Sequence, residues 1–365
     1  MRKRKMTFKT VGILINYSAL TLMGYLNLES AVINSKYTRL PLLQITWIIV
    51  AISLIIVTVL LLERINISKW LIPGYILSVT LLFLLLLVGE RWGGSQRWFS
   101  TPIGGLQPSE FVKPFMVLLY SYIYANSYNT AGVSLLNLFL MLPIAGLILS
   151  EPDLGTSIVF VFLILIYYIM AEKKKKRLLF VFIVIVLLVL LLYGFGLKPY
   201  QKERITAFFD PAKNPDTYYH TQQSITMVAS AGLYGKGYQR GLGNLYGYIP
   251  ADHTDFVLAV YAEEEGFLGM IVFYSLWLLM FSIILSLIRQ RTGIKKWLSV
   301  GVFAIFFIQF TVNVGMVIGL LPVTGLPLPF FTYGGSSTAS NAIIIGILLW
   351  ASLNDDRRVE ELIKL

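Results

Sequence analysis

Apolar residues come in runs of about twenty along almost the whole chain, near residues 11–31, 41–62, 70–88, 108–126, 133–149, 155–171, 178–197, 256–288, 296–320 and 337–353. A helix of that length crosses a hydrocarbon core of about 30 Å. The runs show neither a strong polar stripe nor strand-like alternation. The pattern therefore predicts an all-α polytopic membrane protein of ten transmembrane helices, not a barrel. Polar residues gather between the runs. The longest gap, 197–255, is rich in glycine and closes at His253-Thr254-Asp255-Phe256, where the eighth run begins. That junction sets a carboxylate at a boundary between water and lipid.

Composition agrees with a membrane protein: 56% of residues are hydrophobic and 13% charged, and the mean hydropathy is +0.72. A soluble domain of this size could not bury so much apolar surface. The start, Met1-Arg2-Lys3-Arg4-Lys5, resembles the charged region of a signal peptide, but no small-residue cleavage site follows, so the first run is expected to stay as a helix. The whole of 1–365 reads as one integral membrane domain.

Lys and Arg set the orientation. The segments 1–10, 63–69, 171–177, 289–297 and 354–365 carry nineteen, whereas the alternate segments carry ten. Both termini and the Lys173–Arg177 cluster are thus expected in the cytoplasm. Segment 197–255 becomes a large extracellular loop between the seventh and eighth helices. The net charge of +11 suits anionic headgroups of membrane lipids, and no nucleic-acid motif competes with that reading. The polar segments 91–107, 151–155, 197–255 and 321–337 all fall on the external side, which points to work at the outer face.

Cysteine is absent, and histidine occurs only as His220 and His253. Neither a thiolate nor a His-rich metal site is expected, and any metal would be a hard divalent ion, Mg or Mn, held by oxygens. The run Gly232-Leu233-Tyr234-Gly235-Lys236-Gly237 looks like a phosphate loop, but it lacks the Ser or Thr after the lysine and a preceding strand.

Several charges sit where charge is costly. Glu110 and Lys113 are three residues apart, so a helix starting at Pro108 puts them on one face about 5 Å apart. They read either as a structural ion pair or as a pair whose lysine also meets an anionic substrate. Asp153 suits the cap of the sixth helix, a role compatible with substrate contact. Arg97, beside Trp98, reads as an interfacial anchor or as a phosphate partner. On a continuous helix Glu263-Glu264-Glu265 lie roughly 12 to 15 Å below Asp255. Three adjacent acids cannot share one face, so at least one should meet a cavity or a basic partner. An amphipathic interfacial helix is expected around Lys198–Phe209.

The external segments carry a further pattern. Gly94-Ser95-Gln96-Arg97-Trp98, Gln107-Pro108-Ser109-Glu110, Pro152-Asp153-Leu154-Gly155-Thr156, Gln223-Ser224, Gly235-Lys236-Gly237, His253-Thr254-Asp255-Phe256, Leu320–Phe330 and Tyr333-Gly334-Gly335-Ser336-Ser337 follow one another in order. This series resembles the SEDS family (shape, elongation, division and sporulation) over about residues 90–340, in line with that family's ten-helix architecture. Asn313-Val314-Gly315-Met316 and Gly325-Leu326-Pro327-Leu328-Pro329 look more like RodA-type elongation members than FtsW-type division members.

The resemblance implies a peptidoglycan glycosyltransferase in the bacterial plasma membrane that polymerises lipid II at the outer face. Asp255 matches the aspartate thought essential in the family. It would accept the proton of a saccharide 4-hydroxyl as that oxygen attacks an anomeric carbon bearing undecaprenyl diphosphate. Arg97, Trp98, Glu110, Lys113, Asp153, Gln223, Lys236 and His253 are the implied substrate-binding residues. Lys113, Arg97 and a divalent ion are candidates for stabilising the leaving diphosphate. The implied partner is a class B penicillin-binding protein. Ala251, Ala231 and Glu265 depart from the family pattern, and Asp252 becomes a second carboxylate near Asp255. Two rival readings are a lipid II flippase and a non-catalytic scaffold for the transpeptidase. The flippase needs a polar path to the cytoplasm, and here the polar segments lie on one side.

Overall fold

The computed structural model describes residues 7–33, 35, 37–92, 95–101, 104–126, 130–151, 153–172, 174, 176–179, 183, 197–243 and 255–353. The first six apolar runs form α1 (Phe8–Ala31), α2 (Leu40–Arg64), α3 (Ile67–Val88), α4 (Pro108–Ala125), α5 (Thr130–Ser150) and α6 (Leu154–Ala171). Beyond the loop come α7 (Pro199–Phe209), α8 (Pro215–Ser230), α9 (Val257–Gln290), α10 (Gly293–Val317) and α11 (Gly335–Leu353). Seven of these, α1, α2, α3, α6, α9, α10 and α11, are long and apolar enough to cross a membrane. The expected span 178–197 lies almost wholly outside the described residues.

Burial grades the helices. In α10 and α11, 72% and 83% of the most apolar window is buried, against 28% and 22% in α2 and α3. The centre of the molecule is therefore α10 and α11, and the apolar surface of α2 and α3 is left for lipid. Between α10 and α11 the chain runs through the interior as an irregular segment, with Leu326, Leu328 and Phe331 buried. Phe330 anchors it by stacking on Trp277 at 5.8 Å and meeting Phe306 edge-on at 5.1 Å. Buried irregular backbone needs hydrogen-bond partners, and here Thr332 Oγ1 accepts from the Leu328 amide at 2.9 Å.

Three features depart from the sequence expectation. The fold is not purely helical, because β1 (Glu90–Trp92), β2 (Ser95–Thr101) and β3 (Gly104–Leu106) form a small antiparallel sheet with Glu90 opposite Trp98 and Phe99 opposite Leu106. Segment 197–255 is not merely a polar loop, since its described part, 197–243, contains α7, a short 3-10 turn at Pro211–Lys213, and α8. The α7 helix matches the one expected around Lys198–Phe209.

The third departure is that α9 is not continuous. Gly266 has φ 67° and ψ −166°, which breaks the helix below the acidic triplet. The segment 232–237 fills the break. Lys236 and Gly237 amides donate to the carbonyls of Glu263 and Glu264, and the amides of Phe267 and Leu268 donate to Gly232 and Leu233. Four groups freed by the break are thus paired. Only glycine fits at Gly235, where φ is +72° and a Cβ would stand 2.1 Å from the Glu264 carbonyl oxygen. The glycine run that resembled a phosphate loop spends its amides on a helix.

Candidate functional site

The sheet, the α5–α6 turn and the head of α4 meet one another beside α11, while the starts of α6 and α9 meet the buried segment between α10 and α11. Strand β2 carries Arg97 to the turn. Its Nη1 lies 3.6 Å from Asp153 Oδ1, and its Nε donates to the Glu151 carbonyl at 3.5 Å. Asp153 caps α6, accepting from the Thr156 amide at 3.0 Å and the Thr156 hydroxyl at 2.8 Å. Gln107, just before α4, adds a bond from Nε2 to Asp153 Oδ2 at 3.1 Å. The capping reading of Asp153 is realised in full, and its carboxylate is buried among these donors.

From Gln107 the chain turns into α4, which Pro108 begins at the first helical position. One turn in, Lys113 Nζ and Glu110 Oε2 form an ion pair at 2.6 Å with neither side chain open to solvent. Ser340 of α11 donates to the Glu110 carbonyl at 2.6 Å, and the Ser336 hydroxyl accepts from the Gln107 amide at 3.0 Å. These bonds fix the α4 head against α11. Gln107 thus links the Arg97–Asp153 pair, through its side chain, to the head of α4 that carries the Glu110–Lys113 pair.

Asp255 opens α9 from another direction. One of its carboxylate oxygens lies 3.7 Å from where a Cβ on Gly325 would stand. Its carbonyl accepts from Asn313 Nδ2 at 3.4 Å. The same buried segment touches α6, since a Cβ on Gly155 would come within 3.0 Å of the Thr324 carbonyl and 2.9 Å of Leu326. Residues 324–326 thus stand between Asp255 and the helix that Asp153 caps.

The remaining implied residues lie elsewhere. Trp98 is half-buried in β2 opposite Glu90. Gln223 is half-buried on α8, a helix held down by its neighbour Ser224, which donates to the Val317 carbonyl at 2.7 Å. Lys236 pairs with Glu263 Oε1 at 2.5 Å and donates to Ser230. Glu263 also accepts the amides of Leu242 and Gly243, at 3.2 and 3.1 Å. Glu264 accepts from Ser30 at 2.6 Å, and Glu265 is exposed. The triplet is split as the helical geometry required. His253 and Asp252 lie outside the described residues. Among the described residues no three His, Asp or Glu side chains stand together as metal ligands.

Two residues of the site carried no chemical role in the sequence. Glu151 is fully buried beside the Arg97–Asp153 pair, with both carboxylate oxygens lacking hydrogen-bond partners. Burial, reinforced by Asp153 and opposed by Arg97, pushes its carboxyl up to about 8. Asn313 entered only as part of a motif, and the structure makes it a contact of Asp255. An asparagine in an apolar helix gives no signal that spacing could read.

A family described as cell cycle protein, grouping FtsW, RodA and SpoVE, matches residues 4–357. The chain belongs to it. Peptidoglycan glycosyltransferase MrdB of Escherichia coli (strain K12) is 32% identical over 270 residues, covering 72% of each chain. MrdB of Helicobacter pylori (strain J99) is 30% identical over 293 residues, covering 78% of this chain and 75% of that protein. Among solved structures, a chain of a peptidoglycan synthase complex described as coordinating polymerization and crosslinking is 28% identical, with TM-score 0.77 over 94% of this chain and 97% of that one. The rod shape determining protein RodA of Thermus thermophilus is 25% identical, with TM-score 0.65 over 93% and 95% of the two chains. The fold of the FtsW/RodA/SpoVE family thus extends over nearly the whole of this chain.

Proposed function

We propose that this chain is a peptidoglycan glycosyltransferase that polymerises lipid II at the outer face of the bacterial plasma membrane during cell elongation. The observation that carries the reading is Asp255 at the head of α9, its carboxylate against Gly325 and its backbone tied to α10. A saccharide 4-hydroxyl attacks the anomeric carbon of a second lipid-linked sugar. The new C–O bond forms as the bond from that carbon to undecaprenyl diphosphate breaks, and Asp255 takes the hydroxyl proton. The similarity to proteins named peptidoglycan glycosyltransferase supports this chemistry.

Arg97 is the better cation for the leaving diphosphate, because its side chain keeps 20% exposure whereas Lys113 keeps none. A hard divalent ion would add charge there, and chelation of a dependent enzyme would lower turnover. The ten-helix topology with cytoplasmic termini rests on the Lys and Arg distribution. A class B penicillin-binding protein is the proposed partner, in keeping with the likeness to a chain of a peptidoglycan synthase complex.

The test is polymerisation of labelled lipid II by the purified chain, alone and with its transpeptidase. Glycan strands are expected from the wild type and none from Asp255→Asn or Asp255→Ala. Equal product from the variants removes Asp255 as the base. Transbilayer movement of lipid II without extension identifies a flippase, and transpeptidase binding with no polymerisation by the wild type identifies a scaffold.

A further inference from the structure

We infer that Asn313 is a positioning residue for Asp255, holding its backbone and the Gly325 segment in one register through a single side-chain amide. The inference rests on Asp255 being the base of the proposed reaction. Asn313 is fully buried on α10, where its Nδ2 donates to the Leu326 carbonyl at 2.9 Å and to the Asp255 carbonyl at 3.4 Å. Both neighbours are carbonyl oxygens, so only the NH2 side can face them, and the orientation of the amide is dictated by its surroundings. Its Oδ1 is buried without a partner. The donor side is therefore the side the fold uses.

The two acceptors belong to segments far apart in the chain. Asp255 leads into α9, whereas Leu326 follows Gly325, whose backbone lies against the Asp255 carboxylate. Gly325 has φ +74°, a conformation that L side chains rarely adopt, so the path of this segment past Asp255 depends on a glycine here. One NH2 group bonded to both segments fixes the carboxylate relative to that backbone. Displacement of a catalytic group by about 1 Å lowers turnover by about 100-fold. Asn313 touches no reacting atom, so its loss should appear in turnover with little change in lipid II affinity.

The test uses the full chain purified in detergent as wild type, Asn313→Ala and Asn313→Asp. The expected result is kcat lowered about 10- to 100-fold with KM for lipid II within about threefold, and faster amide exchange confined to 255–259 and 324–328. Asn313→Asp adds a signature. Its protonated acid has one O–H donor, and its ionised form repels both carbonyls, so its activity relative to wild type should fall as pH rises. Unchanged kcat with unchanged exchange overturns the proposal. A change confined to KM overturns it too, because the residue then serves binding. Loss of the folded state in both variants overturns it in favour of a role in assembling the bundle. A wild type that does not polymerise lipid II, with exchange still faster at both segments in the variants, sinks the glycosyltransferase reading and with it the positioning of a base, and leaves Asn313 only as the link between the two segments.

Discussion

Glu110 and Lys113 share one buried ion pair, so removal of either leaves the other charge uncompensated. Glu110→Ala is expected to cost about 3–5 kcal/mol, and replacing both residues with apolar ones of similar volume should recover most of that loss. Thermal unfolding in detergent measures both. Activity separates the roles, because an ion pair that only orients α4 predicts a double variant that still polymerises. Glu151 gives a pH prediction. Its folded carboxyl is raised from 4.5 to about 8, so between those values the folded state holds a proton that the unfolded state has released. Stability should fall as pH rises through that window and level off above it. The penalty at pH 9 is on the order of a few kcal/mol. Glu151→Gln should therefore raise the melting temperature at pH 9 and leave it nearly unchanged at pH 4. An equal gain at both pH values would remove the buried acid as the cause. The charged residues of the site were legible because charge beside an apolar run demands a partner. Glu151 was not, because its burial depends on a sheet and a turn that no local pattern announces.

At the scale of elements, the nine apolar runs other than 178–197 became helices with ends within a few residues of expectation, since bilayer thickness fixes their length. The short elements were harder to read. Strands of three to seven residues in a glycine-rich stretch give too few positions for alternation to register, and α8 has no apolar run to mark it. The break at Gly266 was missed for a different reason. A glycine in an apolar helix is commonly tolerated, and only the chain packed against it shows that the helix stops there. The clamp makes its own prediction. Gly235→Ala forces a side chain into positive φ, at about 1–2 kcal/mol, and onto the Glu264 carbonyl. Segment 232–243 should detach from α9. Limited proteolysis should then cut within it while the bundle stays intact, and a cleavage pattern like that of the wild type would show that the clamp tolerates the change.

Across the whole molecule, composition alone points to a membrane bundle, and the direction proposed for it rests on the Lys and Arg distribution. Lys176 and Lys213 test that direction, since they lie in segments assigned to opposite faces and both are exposed. The chain has no cysteine, so Lys176→Cys and Lys213→Cys each introduce one thiol with no background. Neither replacement disturbs the interior. Lys213 loses only an exposed, solvent-screened pair with Asp210. In intact cells a membrane-impermeant maleimide should label Lys213→Cys and spare Lys176→Cys until the membrane is opened. Residue 213 belongs to the same segment, proposed as external, that α8 packs onto α9 and α10. The position of that thiol therefore reports the face on which Asp255 opens. Labelling of Lys176→Cys in intact cells would turn the site toward the cytoplasm, where an extracellular glycan strand could not be extended.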